Sequence, residues 1–457
     1  MYDLIVLGGG PAGYYSAERA GAAGLNTVLV EKANLGGVCL NEGCIPSKTI
    51  LHSAKLYSQA RESERFGVSA DNVRFDLATV MARKQKIIET LRKGIASTLK
   101  KHTVTVVEGE GVIAGREGTA FRVSVGDRSL EGERLLLCTG SEAIRIPIPG
   151  ADKPHVYTNR EILAVDTVPE KLVVIGGGVI GLELATFFAE VGSAVTVVEM
   201  LPAIGGPIDT EIGGTLRKEL TKKGITFRLE ARVTAIGDGS VSCEAGGASE
   251  EIPADIVLMS VGRRPVTTGI GLETLNVHTE RGAIVVDEKG RTNIPGVWAA
   301  GDVNGRSMLA HTAYREGDVC VGDMTGGKQV TRYHAIPGVI YTHPEVAMVG
   351  LTEAEAAEAG IATLTAKLPM SYNGRYLAES DGERGICKVV VDKQYGTLLG
   401  VHIIGGHCSE MIYGAAALIE DELRVQDIQE IVFPHPTISE IIRDTLMQVK
   451  LPGREEL

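Results

Sequence analysis

No window of the sequence approaches the ~18 uninterrupted apolar residues that a membrane span requires. The amino-terminal MYDLIVLGGG lacks a basic segment, and its apolar run from Leu4 to Leu7 is far too short for a signal peptide. Blocks of basic residues are missing too, which removes the means of neutralising successive phosphates and argues against a nucleic acid partner. Cysteine is sparse and odd in number, seven over 457 residues, unlike the disulfide framework of a small secreted protein. A reducing, cytosolic setting is therefore expected. The 57 glycines follow no three-residue period, which excludes collagen, and 44% hydrophobic with 23% charged residues is a globular composition. The net charge of −12 is read as serving solubility, with docking of a basic partner as the sharper alternative. This length predicts three or four domains at roughly 100 to 200 residues each.

The chain contains a hidden repeat. DLIVLGGGPAG and LVVIGGGVIG are each a short apolar strand running into G-x-G-x-x-G, with glycines at 8, 10 and 13 and again at 176, 178 and 181. Each copy continues as a helical pattern and a second strand ending in an acid, Glu31 in TVLVEK and Glu199 in AVTVVEM. A lone glycine motif is weak evidence; strand, helix and acid in both copies supply the full context of a dinucleotide fingerprint. The first glycine makes the tight turn, the second admits the pyrophosphate and the third lets helix and strand pack closely. The helix N-terminus offers free N–H groups and the positive end of its dipole, and the acid accepts hydrogen bonds from a ribose diol. Two dinucleotide sites follow. No arginine occurs in the fifteen residues after Glu199, so the second site should prefer NAD over NADP. FAD is expected at the first, because VWAAGDV is a third short strand ending in Gly-Asp, and Asp302 could hold the polyol chain that FAD has and NAD lacks.

These anchors predict an α/β fold with two Rossmann-like units, an FAD-binding domain over 1–145 and an NAD-binding domain over 146–265. A central segment, 266–335, completes the first unit, and an α+β interface domain occupies 336–457. A long helix is expected from about Leu77 to Lys101. CKVVVDKQYGTLLGVHIIG should give two strands around a turn, followed by a helix from Ser409.

The segment GGVCLNEGCIPSK carries Cys39 and Cys44. C-x4-C is not a common zinc pair, and no second pair at suitable spacing completes a four-ligand set. That leaves two small buried thiols or a disulfide. Five residues of ideal helix rotate by roughly 500°, leaving the side chains about 140° apart, whereas bonding needs Cα atoms roughly 4.4 to 6.8 Å apart. Gly36, Gly37 and Gly43 allow a departure from helix at that point. Pro46 suits an early helical position, which would put Cys44 near a helix N-terminus, where a thiolate is stabilised. Among histidines, His435 in FPHPTISE lies between two prolines, and Glu440 follows at a spacing that lets a carboxylate hold one ring nitrogen while the other takes a proton. His343 also precedes a proline, and His52, about two turns along the helix from Cys44, reads as a surface or packing residue.

The cysteine segment, with GGGVIGLE, WAAGDV, MLAH, THPEVAMVG and HPTISE in the same order over the full length, resembles the pyridine nucleotide-disulfide oxidoreductases, and within them the dihydrolipoamide dehydrogenases. Glutathione reductases share the layout, but their cysteine segment usually ends in two lysines where Ser47-Lys48 stands here. Mercuric reductases add a C-terminal cysteine pair, whereas the last cysteine here is Cys408. The resemblance implies a redox disulfide with Cys39 facing substrate and Cys44 facing the flavin, and oxidation of dihydrolipoamide coupled to reduction of NAD. It also implies His435 as base with Glu440 as its partner, reached across a homodimer, and a lipoyl-bearing protein of a multienzyme complex as partner. By the same match Gly109, Thr139, Gly140, Asp302 and Ala310 join Gly8, Gly10, Gly13 and Glu31 at FAD. Lys48 and Glu183 pair beside the isoalloxazine ring, and Ile180, Val233 and Gly262 join Gly176, Gly178, Gly181 and Glu199 on the NAD side. No metal is implied. Phe433 stands where the family often has a second histidine, which puts an auxiliary proton path in doubt. The chain opens directly on the flavin motif, so no lipoyl domain is expected. Competing expectations are a flavin NADH oxidase or peroxidase, which needs one cysteine, and a non-enzymatic subunit, which needs no His435.

Overall fold

The computed structural model describes residues 1–380 and 382–451. Its first sheet is built on Leu4–Leu7, a strand buried along its whole length as expected of a parallel strand covered on both faces. The strand order is Val297–Ala299, Leu135–Leu137, Leu4–Leu7, Thr27–Glu31, Thr105–Glu108, all parallel. Helices Pro11–Ala22 and Ala310–Met324 pack together on one side. An antiparallel sheet of Gly111–Glu117, Ala120–Val125 and Arg128–Gly132 covers the other, through Ile113, Phe121 and Val123. The long helix runs Leu77–Lys101, as the periodicity predicts, and the Asp76 carboxylate caps it by accepting the Thr79 N–H.

The second unit repeats the plan. Thr226–Arg228, Ala194–Val198, Lys171–Ile175, Ile256–Met259 and Val156–Tyr157 form a parallel sheet in that order, with an antiparallel three-stranded layer over residues 231–253. Ser141–Ala143 pairs antiparallel with Arg263–Pro265, a short ladder at the two crossings between the first sheet and the second.

The third unit is an antiparallel sheet in the order Gly338–Ile340, Glu345–Gly350, Leu398–Gly405, Ile386–Asp392, Thr363–Pro369, backed by helices Cys408–Glu420 and Glu440–Leu446. The two strands expected from CKVVVDKQYGTLLGVHIIG are adjacent in it. Charged groups bind this unit to the second. Buried Lys388 donates to Asp209 at 2.8 Å and also pairs with Glu353. His343 Nδ1 lies 3.0 Å from both Glu190 and Lys223 Nζ, so this histidine is engaged in domain packing. Among the described residues no helix is long and apolar enough to cross a membrane, and no cluster of side chains could hold a metal ion.

Candidate active site

Both glycine loops show why each glycine is needed. At Gly8, where φ is +99°, a Cβ would stand 2.2 Å from the Cys138 carbonyl oxygen; at Gly13 it would stand 1.7 Å from that of Gly8. The second copy repeats these contacts, with Gly176 against Ser260 O at 2.3 Å and Gly181 against Gly176 O at 2.3 Å. The middle glycines differ. Nothing lies within 4 Å of a Cβ at Gly178, and at Gly10 only the Gly37 Cα does, at 3.8 Å. Helices Pro11–Ala22 and Val179–Glu190 begin there without a side-chain cap, so their first N–H groups suit an anionic ligand. The loops thus fit dinucleotides. Glu31 accepts the N–H groups of Gly9 and Ala33 at 2.6 and 2.7 Å, and Glu199 accepts those of Gly177 and Leu201 at 2.6 and 2.8 Å. Each acid thereby also fastens the loop it follows. Arg228, on the strand beside Glu199, is held by Glu250 through two 2.7 Å bonds.

The remaining residues expected at FAD gather at the carboxyl ends of the first sheet, where ligands of open α/β sheets bind. Thr139 and Gly140 follow Leu135–Leu137, Gly109 follows Thr105–Glu108, and Asp302 follows Val297–Ala299. Ala310 opens the helix Ala310–Met324. Asp302 accepts the Ser141 hydroxyl at 2.5 Å, and Thr139 donates to Val266 O at 2.6 Å. Of the residues expected at NAD, Ile180, Gly178 and Gly262 line one cavity with Asn159 and Arg263. Val233 is different: its side chain is packed in the core, which leaves only its backbone for a ligand.

Cys39 and Cys44 form a disulfide with Cα atoms 4.7 Å apart. Cys39 sits in the short helix Gly37–Glu42, and Cys44 is the first residue of Cys44–Arg61. Gly43, at φ −146° and ψ −107°, breaks the helix between them, while Gly36 and Gly37 enter at φ +96° and +58°. The expected bend is there, and Cys44 lies at the dipole's positive end. This segment is seated on the first dinucleotide loop. Gly36 N–H donates to Gly9 O at 2.8 Å, and a Cβ on Gly37 would strike the Gly10 Cα at 2.6 Å. Redox sulfur and phosphate loop are thereby neighbours. One turn on, Lys48 Nζ donates to Glu183 at 2.7 Å and lies 4.4 Å from the centre of the Tyr341 ring. The other Glu183 oxygen accepts Tyr341 N–H at 3.0 Å. Burial, and then the Glu183 charge, push the Tyr341 hydroxyl pKa up. Tyr341 was not visible in the sequence as a site residue, since it lies 158 residues from Glu183.

His435 Nδ1 stands 3.2 Å from both Glu440 oxygens. Glu440 also accepts Thr437 N–H at 2.9 Å and faces Arg443 at 3.5 Å; the Thr437 amide, then His435 and Arg443, hold its carboxyl below the ordinary range. The histidine side chain is 81% exposed, against 9% for Glu440. Among the described residues it makes no hydrogen bond to the disulfide segment. Phe433 is half-buried against the third core, with the Arg443 guanidinium 5.9 Å from its ring centre. His52 is exposed on the disulfide helix. The five other cysteines are buried and unpaired.

Comparison with known proteins agrees with this geometry. Residues 2–317 match the pyridine nucleotide-disulphide oxidoreductase family, and 336–446 match its dimerisation domain, which supports a homodimer. The chain is 38% identical over 455 residues to the mitochondrial dihydrolipoyl dehydrogenase of Pisum sativum, covering 97% of this chain and 91% of that protein. It is 37% identical to leghemoglobin reductase of Glycine max, covering 97% and 87%. Among solved structures, LpdA from Mycobacterium tuberculosis superposes with a TM-score of 0.89 at 26% identity, covering 97% of this chain and 98% of that one. The HOCl-induced flavoprotein disulfide reductase RclA from Escherichia coli gives 0.87 at 27%, covering 98% and 100%. With the repeat, the disulfide and the C-terminal sheet all accounted for, this chain belongs to the pyridine nucleotide-disulphide oxidoreductase family.

Proposed function

We propose that this protein is a dihydrolipoyl dehydrogenase, oxidising dihydrolipoamide to lipoamide and reducing NAD. The observation that carries the reading is the Cys39–Cys44 disulfide at a helix start, seated on the first dinucleotide loop.

The thiolate of dihydrolipoamide attacks Cys39 Sγ, breaking the disulfide and releasing Cys44 as a thiolate. The second substrate thiol, losing its proton, then displaces Cys39 and closes lipoamide. Two electrons now rest on the pair. The helix N-terminus at Cys44 lowers the cost of its negative charge. The loop of Gly8, Gly10 and Gly13 with Glu31 and Asp302 would hold FAD, which would supply two-electron chemistry between this pair and NAD on the Gly176–Gly181 side. Lys48, fixed by Glu183, places a positive charge one turn along the disulfide helix from Cys44. Glu440 orients His435 through Nδ1, so that Nε2 takes the substrate proton. The exposure of His435 supports its being presented to a second copy's disulfide, which makes the dimer the active unit. The proposed division is flavin domain 1–145 with 266–335, NAD domain 146–265 and interface domain 336–457. A lipoyl-bearing protein of a multienzyme complex is the proposed delivery partner.

The test is steady-state turnover with dihydrolipoamide and NAD, set beside oxidised glutathione with NADPH. Turnover confined to the second pair overturns the assignment.

A further inference from the structure

The carbonyl of Glu42 poses a specific problem. It ends the helix Gly37–Glu42, and in a continuing helix it would accept the N–H of residue 46. That residue is Pro46, which has none. The carbonyl is two residues from Cys44, at the break that lets the disulfide close. Its partner comes from another part of the chain: Asn159 Nδ2 donates to Glu42 O at 2.7 Å. Asn159 is buried at 9% exposure, at the start of a short helix, Asn159–Ile162, that leads into the second unit. The far end of that helix is fixed as well, since buried Lys84 donates to Leu163 O. Arg263 holds the amide from the other side. Its Nη1 reaches Asn159 Oδ1 at 3.5 Å, and its Nε and Nη2 donate to Ser141 Oγ and O at 2.8 and 2.7 Å. Ser141 in turn donates to Asp302.

We infer that Asn159 is a positioning residue for the redox disulfide, supplying from outside the disulfide domain the donor that Pro46 withholds from the turn. A chain of contacts then runs from Asp302 through Ser141, Arg263 and Asn159 to the Glu42 carbonyl, joining the expected FAD and NAD sites to the sulfur pair. Fixing the turn holds the two cysteines at bonding separation, which favours the disulfide over the open dithiol. This rests on the Cys39–Cys44 pair being the working redox group.

The test is a redox titration of the FAD-loaded protein with dithiothreitol, whose two thiols become a ring disulfide as the protein pair is reduced. It does not depend on the natural substrate. Asn159→Ala and the isosteric Asn159→Asp both remove the donor. Each should lower the ratio of disulfide to dithiol about fivefold at a given dithiothreitol poise, a potential ~20 mV less negative. Arg160→Ala is the control, because the Arg160 side chain bonds the Glu42 carboxylate, at 2.9 Å, and its loss leaves the Asn159 donor to the Glu42 carbonyl in place; it should titrate as the parent. Parental titration of both Asn159 variants, or an equal shift in Arg160→Ala, overturns the inference. A parent inactive towards dihydrolipoamide would refute the proposed function while leaving the titration to decide the role of Asn159.

Discussion

The two glycine loops allow a substitution that separates the nucleotide sites. In Gly181→Ala the new Cβ is placed 2.3 Å from the Gly176 carbonyl oxygen, and contacts below 3.0 Å are essentially never tolerated. The obstacle is backbone, so the helix Val179–Glu190 must retreat by about 0.7 Å, the difference between 2.3 and 3.0 Å. Its first N–H groups, facing the open position at Gly178, withdraw from the pyrophosphate by the same amount. Overpacking of this kind costs about 1–3 kcal/mol, and that cost falling on nucleotide binding weakens it by roughly 5- to 150-fold. The first glycine loop, 168 residues earlier and in a different sheet, is untouched. Gly181→Ala should therefore raise the KM for NAD by that factor, retain its full flavin absorbance, and still be reduced by dihydrolipoamide when NAD is omitted. An unchanged KM, or flavin loss equal to that of the more crowded Gly13→Ala, would refute the division of labour between the loops.

Other substitutions probe the chemistry and the docking of domains. Cys44→Ser should abolish lipoamide turnover and keep FAD; loss of FAD would return the cysteines to a packing role. His435→Ala should slow dihydrolipoamide oxidation by about 10²- to 10⁴-fold without changing the flavin content, and full activity would remove this residue from the mechanism. Asp209→Asn should cost up to about 3–5 kcal/mol in urea unfolding at neutral pH, because it leaves the buried Lys388 with Glu353 as its remaining carboxylate. Burial pushes the Asp209 carboxyl up, but Lys388 and the amides of Ile212 and Glu211 outweigh it, leaving the pKa below its ordinary 3.8. The stabilisation is therefore complete above 3.8 and lost as pH falls through the depressed folded value. Parent and variant should converge in acid; a gap that widens instead contradicts the ion pair.

What could be read from the sequence was what lies within about thirty residues of chain. The two strand–glycine–helix–acid units, the bend at Gly43 and the His435–Glu440 spacing are local patterns fixed by backbone geometry. So is the helix Leu77–Lys101, whose apolar spacing marks its full extent. Contacts made by docking one unit on another leave no such pattern. Asn159 meets Glu42 across 117 residues and Lys388 meets Asp209 across 179. Pro46 reads in the sequence only as an early helical residue; that its missing N–H leaves the Glu42 carbonyl to Asn159 is visible once the units are docked. The buried side chain of Val233 shows the same limit: a position matched to a ligand by resemblance says nothing of whether its side chain or its backbone is offered.

The place of the strand Val297–Ala299 has a consequence for biosynthesis. It pairs with Leu135–Leu137, although the entire second sheet is made in between. At roughly 5–20 residues per second, the ribosome needs on the order of 8–30 s to deliver this strand after its neighbour has emerged. Through that interval Leu135–Leu137 is an unpaired apolar edge, a template for wrong partners, while the inserted unit already has every strand it needs. The nascent chain should therefore complete its second sheet before its first, whose closing strand emerges only after the whole second unit has been made.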